Sequence, residues 1–334
     1  MATISTGRVS ITPMRATTSA TLNQICAQLG NNPPVVASLS PGWAIFDETD
    51  AGIGVIGGSP SNLAHPHIYP QDGAHPERLI ARYYHWVHDA SREAVLAAAG
   101  ISPTLFETHR LEAVDFVFSE ENSSNDYLVL ASTRTESELN PPIASVLNAM
   151  LSIDPSSEFD SITQSAIHVG GSDFFLWMVE RRTTNPVVDA NLTIASITGI
   201  ETRDNRARQN LLRDEIDGDR ANFLTAVADG HDLGPIRFTI RIPSIPAKIS
   251  LTLWADGSFT LLLSGTHYAV KAGVQNESLQ AVYDLAYVHL PRLIAFYRAD
   301  TDWTTSRRLA YRTQARLKLE IRYSAVAAVP AIAP

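Results

Sequence analysis

The sequence predicts an α+β fold in which a mostly antiparallel sheet carries inserted and flanking helices. Several segments alternate apolar and polar residues, most regularly residues 236–242. The dipeptide Asp256–Gly257 lies between two further apolar runs and favours a tight hairpin turn there. Helical patterns are inserted between runs of strands and do not alternate strictly with single strands, an order typical of antiparallel α+β folds.

The first hundred residues contain short strand patterns and two helix patterns. Strands are predicted at residues 8–12, 35–38 and 43–46. The first helix places Leu22, Ile25, Cys26 and Leu29 on one apolar stripe. The second helix is predicted over residues 75–100, because Pro76 suits the first helical position and Gly100 suits the position after the last.

From residue 111 onward the pattern becomes mainly β. A hairpin is predicted from segments 114–118 and 127–131, and a helix from 141–150. Later strands are predicted at 173–180, 191–197 and 236–242, followed by the hairpin 249–264. A final long helix should run from Asn276 to about Leu290 and bend or break at Pro291.

The change of pattern near residue 105 is the candidate domain boundary. It divides the chain into an N-terminal α/β portion, residues 1–105, with a histidine-rich loop and helix, and a mainly antiparallel portion, residues 106–334. With 334 residues, of which 45% are hydrophobic, the chain can equally form one large domain.

Composition excludes several classes of function. The formal net charge of -9 disfavours a protein that wraps duplex nucleic acid. The single cysteine, Cys26, excludes an internal disulfide and a cysteine zinc site. The chain has no apolar run long enough to span a membrane and no secretory signal, so we expect a cytoplasmic protein.

Standard cofactor motifs do not fit. Gly52, Gly54 and Gly57 match the spacing of a dinucleotide fingerprint, but Pro60, which follows soon after, prevents the helix that this motif requires. The phosphate loop, the nucleophile elbow and the zinc-protease motif do not occur. We therefore expect no cofactor, unless the histidines described next bind one transition metal ion.

Half of the ten histidines lie between residues 65 and 88. One hypothesis is a site for Zn or Mn, with Asp72 or Asp89 in support of four histidine ligands. Those ligands would be His65, His67, His85 and His88. A second hypothesis is an anion site, because the predicted helix 75–100 would place Arg78, Arg82 and Arg92 on the same polar face as two histidines. The third is a solvated face without a site.

Residues 201–220 contain six acidic and five basic side chains but only a narrow apolar stripe. They predict a salt-bridged helix that is either solvated or contacts a partner. The arginines that could make this contact are Arg203, Arg206, Arg208 and Arg213. Arg237 and Arg241 alternate with apolar residues and should face away from the core, where they could extend one basic surface.

The leading functional hypothesis is a non-enzymatic binding or accessory subunit that uses these arginine-rich surfaces. The chain has 23 arginines and only three lysines, a bias that the codons of a GC-rich bacterial genome would produce. The expected setting is therefore a bacterial multi-protein system, such as phage defence, with a protein subunit or a nucleic-acid backbone as partner. The alternatives are a metal-dependent hydrolase or nuclease using the histidines, and a self-assembling coat or shell protein. A homo-oligomer is compatible with each hypothesis.

Overall fold

The computed structural model describes residues 7–46, 53–121, 123–161, 167–203, 209–213, 219–269 and 277–327. The chain divides into two compact units, Met1–Ser165 and Ala166–Pro334. The predicted boundary near residue 105 falls inside the first unit. The named strands of each unit pair antiparallel and are accompanied by helices, which confirms the predicted α+β class.

The first unit is an antiparallel sheet with two of its four described helices packed on one face. Its elements are β1 (Arg8–Thr17), α1 (Leu22–Gly30), β2 (Gly42–Ala44), β3 (His67–Tyr69), β4 (Arg78–His88), α2 (Ala90–Ala98), α3 (Leu105–Thr108), β5 (His109–Glu121), β6 (Ser123–Ala131), α4 (Glu136–Leu151) and β7 (Glu158–Ser161). The strand order is β7-β1-β6-β5-β4, and both β2 and β3 pair with the outer edge of β4. Ile25 of α1 and Val146 of α4 pack with Phe116 and Phe118 of β5 in the core.

Residues 78–88 form the strand β4, so the prediction of a single helix over 75–100 is wrong there. β4 has neighbouring strands on both edges, and it buries Tyr83 on one face and Tyr84 on the other. A strand buried on both faces has apolar residues at consecutive positions, and such a run also matches helical spacing. Only the later part of the predicted segment is helical, as the shorter α2. Asp89 caps its N-terminus, and the chain leaves the helix at Gly100, whose φ is +73°.

Of three other predictions for the first unit, one is wrong and two are confirmed. The strand predicted at 35–38 is wrong, because Val36–Ser38 forms a short 3-10 turn closed by a bridge between Val35 and Ser40. The hairpin around residues 119–126 is confirmed as β5 and β6. The helix predicted at 141–150 is confirmed as α4, although it begins earlier, at Glu136.

The second unit also combines an antiparallel sheet with helices. Its elements are α5 (Asp173–Thr184), β8 (Val187–Asp189), β9 (Leu192–Arg203), β10 (Gln209–Arg213), α6 (Ala221–Asp229), β11 (Asp232–Ile242), β12 (Ala247–Leu253), β13 (Phe259–Leu262), β14 (His267–Tyr268), α7 (Glu277–Tyr283), α8 (Leu290–Ala299) and α9 (Arg308–Ala327). The strand order is β10-β9-β11-β12-β13; β8 pairs with β9, and β14 pairs with β12. Ile194, Phe238 and Leu251 belong to the buried face of this sheet.

Two predictions for the second unit are wrong because burial and pairing override local pattern. Residues 173–180 form the helix α5, in which Phe174 through Glu180 are all buried, and a short apolar run of this kind does not distinguish helix from strand. Residues 201–203 and 209–213 belong to the paired strands β9 and β10 and not to a salt-bridged helix. Residues 204–208 and 214–218 of that predicted helix lie outside the described residues.

The predicted break at Pro291 is replaced by a change of helix type. α7 continues into a π-helical segment, Asp284–His289, and Pro291 lies in the first turn of α8. Proline has no amide hydrogen to donate within an α-helix, and here it lies just after the π-helical segment, where the regular α-helical hydrogen-bond pattern is already interrupted. Among the described residues, no helix is both long and apolar enough to cross a membrane.

Candidate functional site

The arginines predicted to share a helical polar face do not lie together on a surface. Arg82 is fully buried in β4, where its Nε and Nη2 donate to the Asp115 carboxylate at 2.6 Å and 3.1 Å. Burial opposes its charge, but the Asp115 carboxylate raises the pKa of Arg82 above its usual value. Arg78 is buried and donates to the Pro76 carbonyl, and only Arg92, on α2, is exposed. The predicted anion site on this face is therefore wrong.

The four histidines proposed as metal ligands lie at different places in the first unit, and each contacts a different residue. His85 lies beside Tyr83 on the core face, and burial lowers its pKa although Glu112 is 3.6 Å from its Nε2. His67 stacks edge-on with Tyr69 in β3, and His88 contacts Glu93 at 3.0 Å. His65 lies against Gly30 of α1.

The two carboxylates proposed to support the metal have structural roles. Asp72 forms a short turn with His75, and Asp89 accepts from the Arg92 amide as the cap of α2. In the described ranges, no three His, Cys, Asp or Glu side chains are grouped closely enough to hold a metal ion. The geometry therefore gives the metal-dependent hypothesis no support.

The arginines of the 201–220 segment are only partly described. Arg203 is exposed at the end of β9, directly opposite Asp232 of β11. Arg213 ends β10, with its backbone paired to Gly199, which in turn pairs with Arg237. The structure thus brings the strand of Arg213 and the strand of Arg237 to either side of β9. Arg206 and Arg208 lie outside the described residues.

Arg237 and Arg241 are exposed on the polar face of the second unit's sheet, as predicted from their alternation in β11. The strand register aligns Arg241 with Lys248 of β12, and Lys248 with His267 of β14. Lys248 and His267 are also exposed. We call Arg241, Lys248, His267 and Arg237 the basic row. Arg237 lies on the same face of β11 as Arg241, four residues before it, with Thr239 between them.

Residues directly opposite each other on antiparallel strands have Cβ atoms about 5 Å apart, and like charges at this separation destabilise the pair. Arg241 and Lys248 are such a pair. Among the described residues, no acidic side chain forms an ion pair with Arg237, Arg241 or Lys248. The arrangement costs stability unless an anion lies between the two cations, so its chemistry suits an external carboxylate or phosphate.

The polar face beneath the basic row is held in place by its own hydrogen bonds. Thr239 lies between the two arginines of β11, and its hydroxyl is 2.7 Å from the Ser250 hydroxyl on β12. Ser250 also donates to the Gly265 carbonyl at 2.9 Å. These buried contacts fix the spacing of the flanking cations, because they connect β11 to β12 and β12 to the segment before β14.

The two units differ strongly in charge. The first carries seven arginines and no lysine against eighteen acidic residues, whereas the second carries nineteen basic and seventeen acidic residues. The first unit therefore carries a formal charge of 7 - 18 = -11 and the second a charge of 19 - 17 = +2, which sum to the net charge of -9. A uniform negative field would repel an anionic partner, but the basic row lies on the unit that does not carry this excess.

Sequence reasoning found Arg237 and Arg241 but missed Lys248 and His267. A signal for Lys248 was present: four residues separate β11 from β12, and counting outward from this loop pairs Arg241 with Lys248. His267 gave no such signal, because its pairing with Lys248 depends on how residues 263–266 return the chain to β12.

Comparison with known proteins adds no constraint on function. No protein-family model matches the sequence, and no curated protein matches it either.

Proposed function

We propose that the protein is a non-enzymatic binding or accessory subunit, and that the basic row holds an anionic segment of its partner. The opposed cations Arg241 and Lys248 carry this proposal, because an anion between them relieves a repulsion that the described residues leave uncompensated. The proposed setting remains a bacterial multi-protein system in the cytoplasm.

An acidic protein segment is the favoured partner. Within the described strands β9, β11, β12 and β13, the polar face carries threonines and serines beside the basic row and no Phe, Tyr or Trp on which a base could stack. The first aromatic residue in this alternation is half-buried Trp254, which follows the end of β12, six residues after Lys248. The row offers only a few cations, and a long polyanion would extend beyond it onto a unit whose nineteen basic and seventeen acidic residues nearly balance. A short carboxylate-rich segment needs no larger basic surface.

The test compares two charge-reversal variants of equal net charge. The row variant is Arg241→Glu with Lys248→Glu, and the control is Arg92→Glu with Arg298→Glu, two exposed arginines elsewhere. Binding of a fluorescent polyglutamate peptide and of an oligo-dT of equal charge is measured by anisotropy. We expect the row variant to bind polyglutamate at least about fivefold more weakly than the control, since two exposed charge contacts contribute about 1 kcal/mol.

Equal affinities of the row variant and the control for both probes would contradict the proposal. Stronger binding of oligo-dT than of polyglutamate, lost in the row variant alone, would instead assign the row to a nucleic-acid backbone. Circular dichroism of each variant checks that the fold is retained.

A further inference from the structure

α2 and α3 expose an unusual amount of apolar surface. Every residue of α2 is at least partly exposed, although a helix of nine residues is marginal in water without packing on one face. Val95 of α2 is 62% exposed and Leu105 of α3 is 60% exposed, and Ile101 between the helices is also exposed. Glu93 and Glu107 lie in the same two helices. We call Val95, Ile101 and Leu105 the acidic-edged patch.

α9 exposes a second apolar surface, in the other unit. Its inner side packs on α6 through Tyr311 and the buried Ala315. Leu309, Leu317 and Ile321 are spaced by eight and four residues, so they share the opposite side of the helix, and they are 70%, 52% and 70% exposed. These three residues are the α9 ridge.

A shallow groove runs between α6 and α9 beside this ridge. Phe223 and Leu224 of α6 form its apolar floor. Gln314 and Lys318 form its edge on α9, each three residues before a member of the ridge and therefore next to it on the helix surface. The groove and the ridge together could take apolar side chains of a partner.

The charges around the two surfaces are opposite in sign. α9 carries five basic residues and one acidic residue, Glu320. Asp173 pairs with Arg308 and Asp219 pairs with Lys318, so the basic excess of α9 comes from its other three arginines, Arg312, Arg316 and Arg322. Arg316 donates to the Ala228 carbonyl, so an acidic side chain does not cancel its charge in this contact. The segment from the cap of α2 to the end of α3 carries three carboxylates and one arginine, Arg92.

We propose that these surfaces bind each other between two copies of the chain: the α9 ridge and groove of one copy take the acidic-edged patch of the next. Opposite charge makes the two surfaces complementary, whereas two α9 ridges facing each other would bring together basic flanks. The contact is head-to-tail, so each copy has one free surface of each kind, and assembly proceeds to a ring or an open chain.

Sedimentation velocity at increasing protein concentration tests this arrangement with the full chain. Leu317→Glu disables the ridge and Leu105→Glu disables the patch; both positions are exposed, so the fold should persist. We expect the wild type to form species larger than a dimer and each variant alone to stay monomeric. An equimolar mixture of the two variants should form a dimer and nothing larger, because only one intact ridge and one intact patch can meet.

Val35→Glu is the matched control, since Val35 is exposed but belongs to neither surface; it should assemble like the wild type. A wild type that remains monomeric at all concentrations would overturn the proposal. So would a mixture of the two variants that does not dimerise, or a Val35→Glu variant that loses assembly as the others do. None of these results depends on the basic row, so the two proposals fail independently.

Discussion

Arg82 and Asp115 form a pair in which each side chain depends on the other. The guanidinium is fully buried, donates two hydrogen bonds to the Asp115 carboxylate, and lies 4.6 Å from the centre of the Phe46 ring. A buried charge without a partner is strongly destabilising, whereas a buried pair replaced by apolar residues of similar size often is not. The pair therefore fixes the packing of β4 against β5 and takes no part in anion binding.

Asp115→Ala should lower the free energy of unfolding by about 3–5 kcal/mol, because it leaves the Arg82 charge buried and unneutralised. Urea denaturation measures this. The double variant Arg82→Met, Asp115→Leu should recover most of the loss. If the single and the double variants were equally destabilised, the loss would come from packing and not from the orphaned charge.

At the scale of elements, a strand with one buried face is the easiest to predict from the sequence. β11 alternates because its polar face carries Arg237 and Arg241, and its pattern is therefore unambiguous. Residues 78–84 of β4 and 174–180 of α5 are all buried, so their sequence pattern does not show which side faces solvent. Their types depend on tertiary neighbours, which explains why a strand was predicted as a helix and a helix as a strand.

The turn between β12 and β13 gives a prediction at this scale. Gly257 has φ +83°, and a Cβ at this position would lie 2.6 Å from the Ile167 carbonyl oxygen. Gly73 also has a positive φ, +57°, but its Cβ would meet open space. Gly73→Ala should therefore cost about 1 kcal/mol from backbone strain alone, and Gly257→Ala should cost clearly more. Urea denaturation of both variants decides this; equal losses would contradict the role of the Ile167 contact.

At the scale of the whole molecule, the candidate surfaces depend on register and on exposure, and neither is encoded in a local motif. The alignment of Lys248 with Arg241 follows from the length of one short loop and could have been predicted from the sequence. The exposure of Leu309 and Ile321 was not, because α9 has apolar residues on its packed side as well, and only the position of α6 shows which side is covered.

Assembly of the whole molecule should also depend on salt. If opposite charges on α9 and on the acidic-edged patch contribute to the contact between copies, raising NaCl from 0.1 M to 1 M should weaken it, since the screening length falls from about 10 Å to about 3 Å. The variant Glu93→Gln, Glu107→Gln should associate more weakly at low salt and respond less to added salt. Glutamine at 107 can still serve the capping box with Thr104, so α3 should persist. Sedimentation equilibrium at both salt concentrations measures the association constants. Association that strengthens with salt in both proteins would show that the contact depends on apolar surface alone, because screening cannot strengthen an attraction between opposite charges.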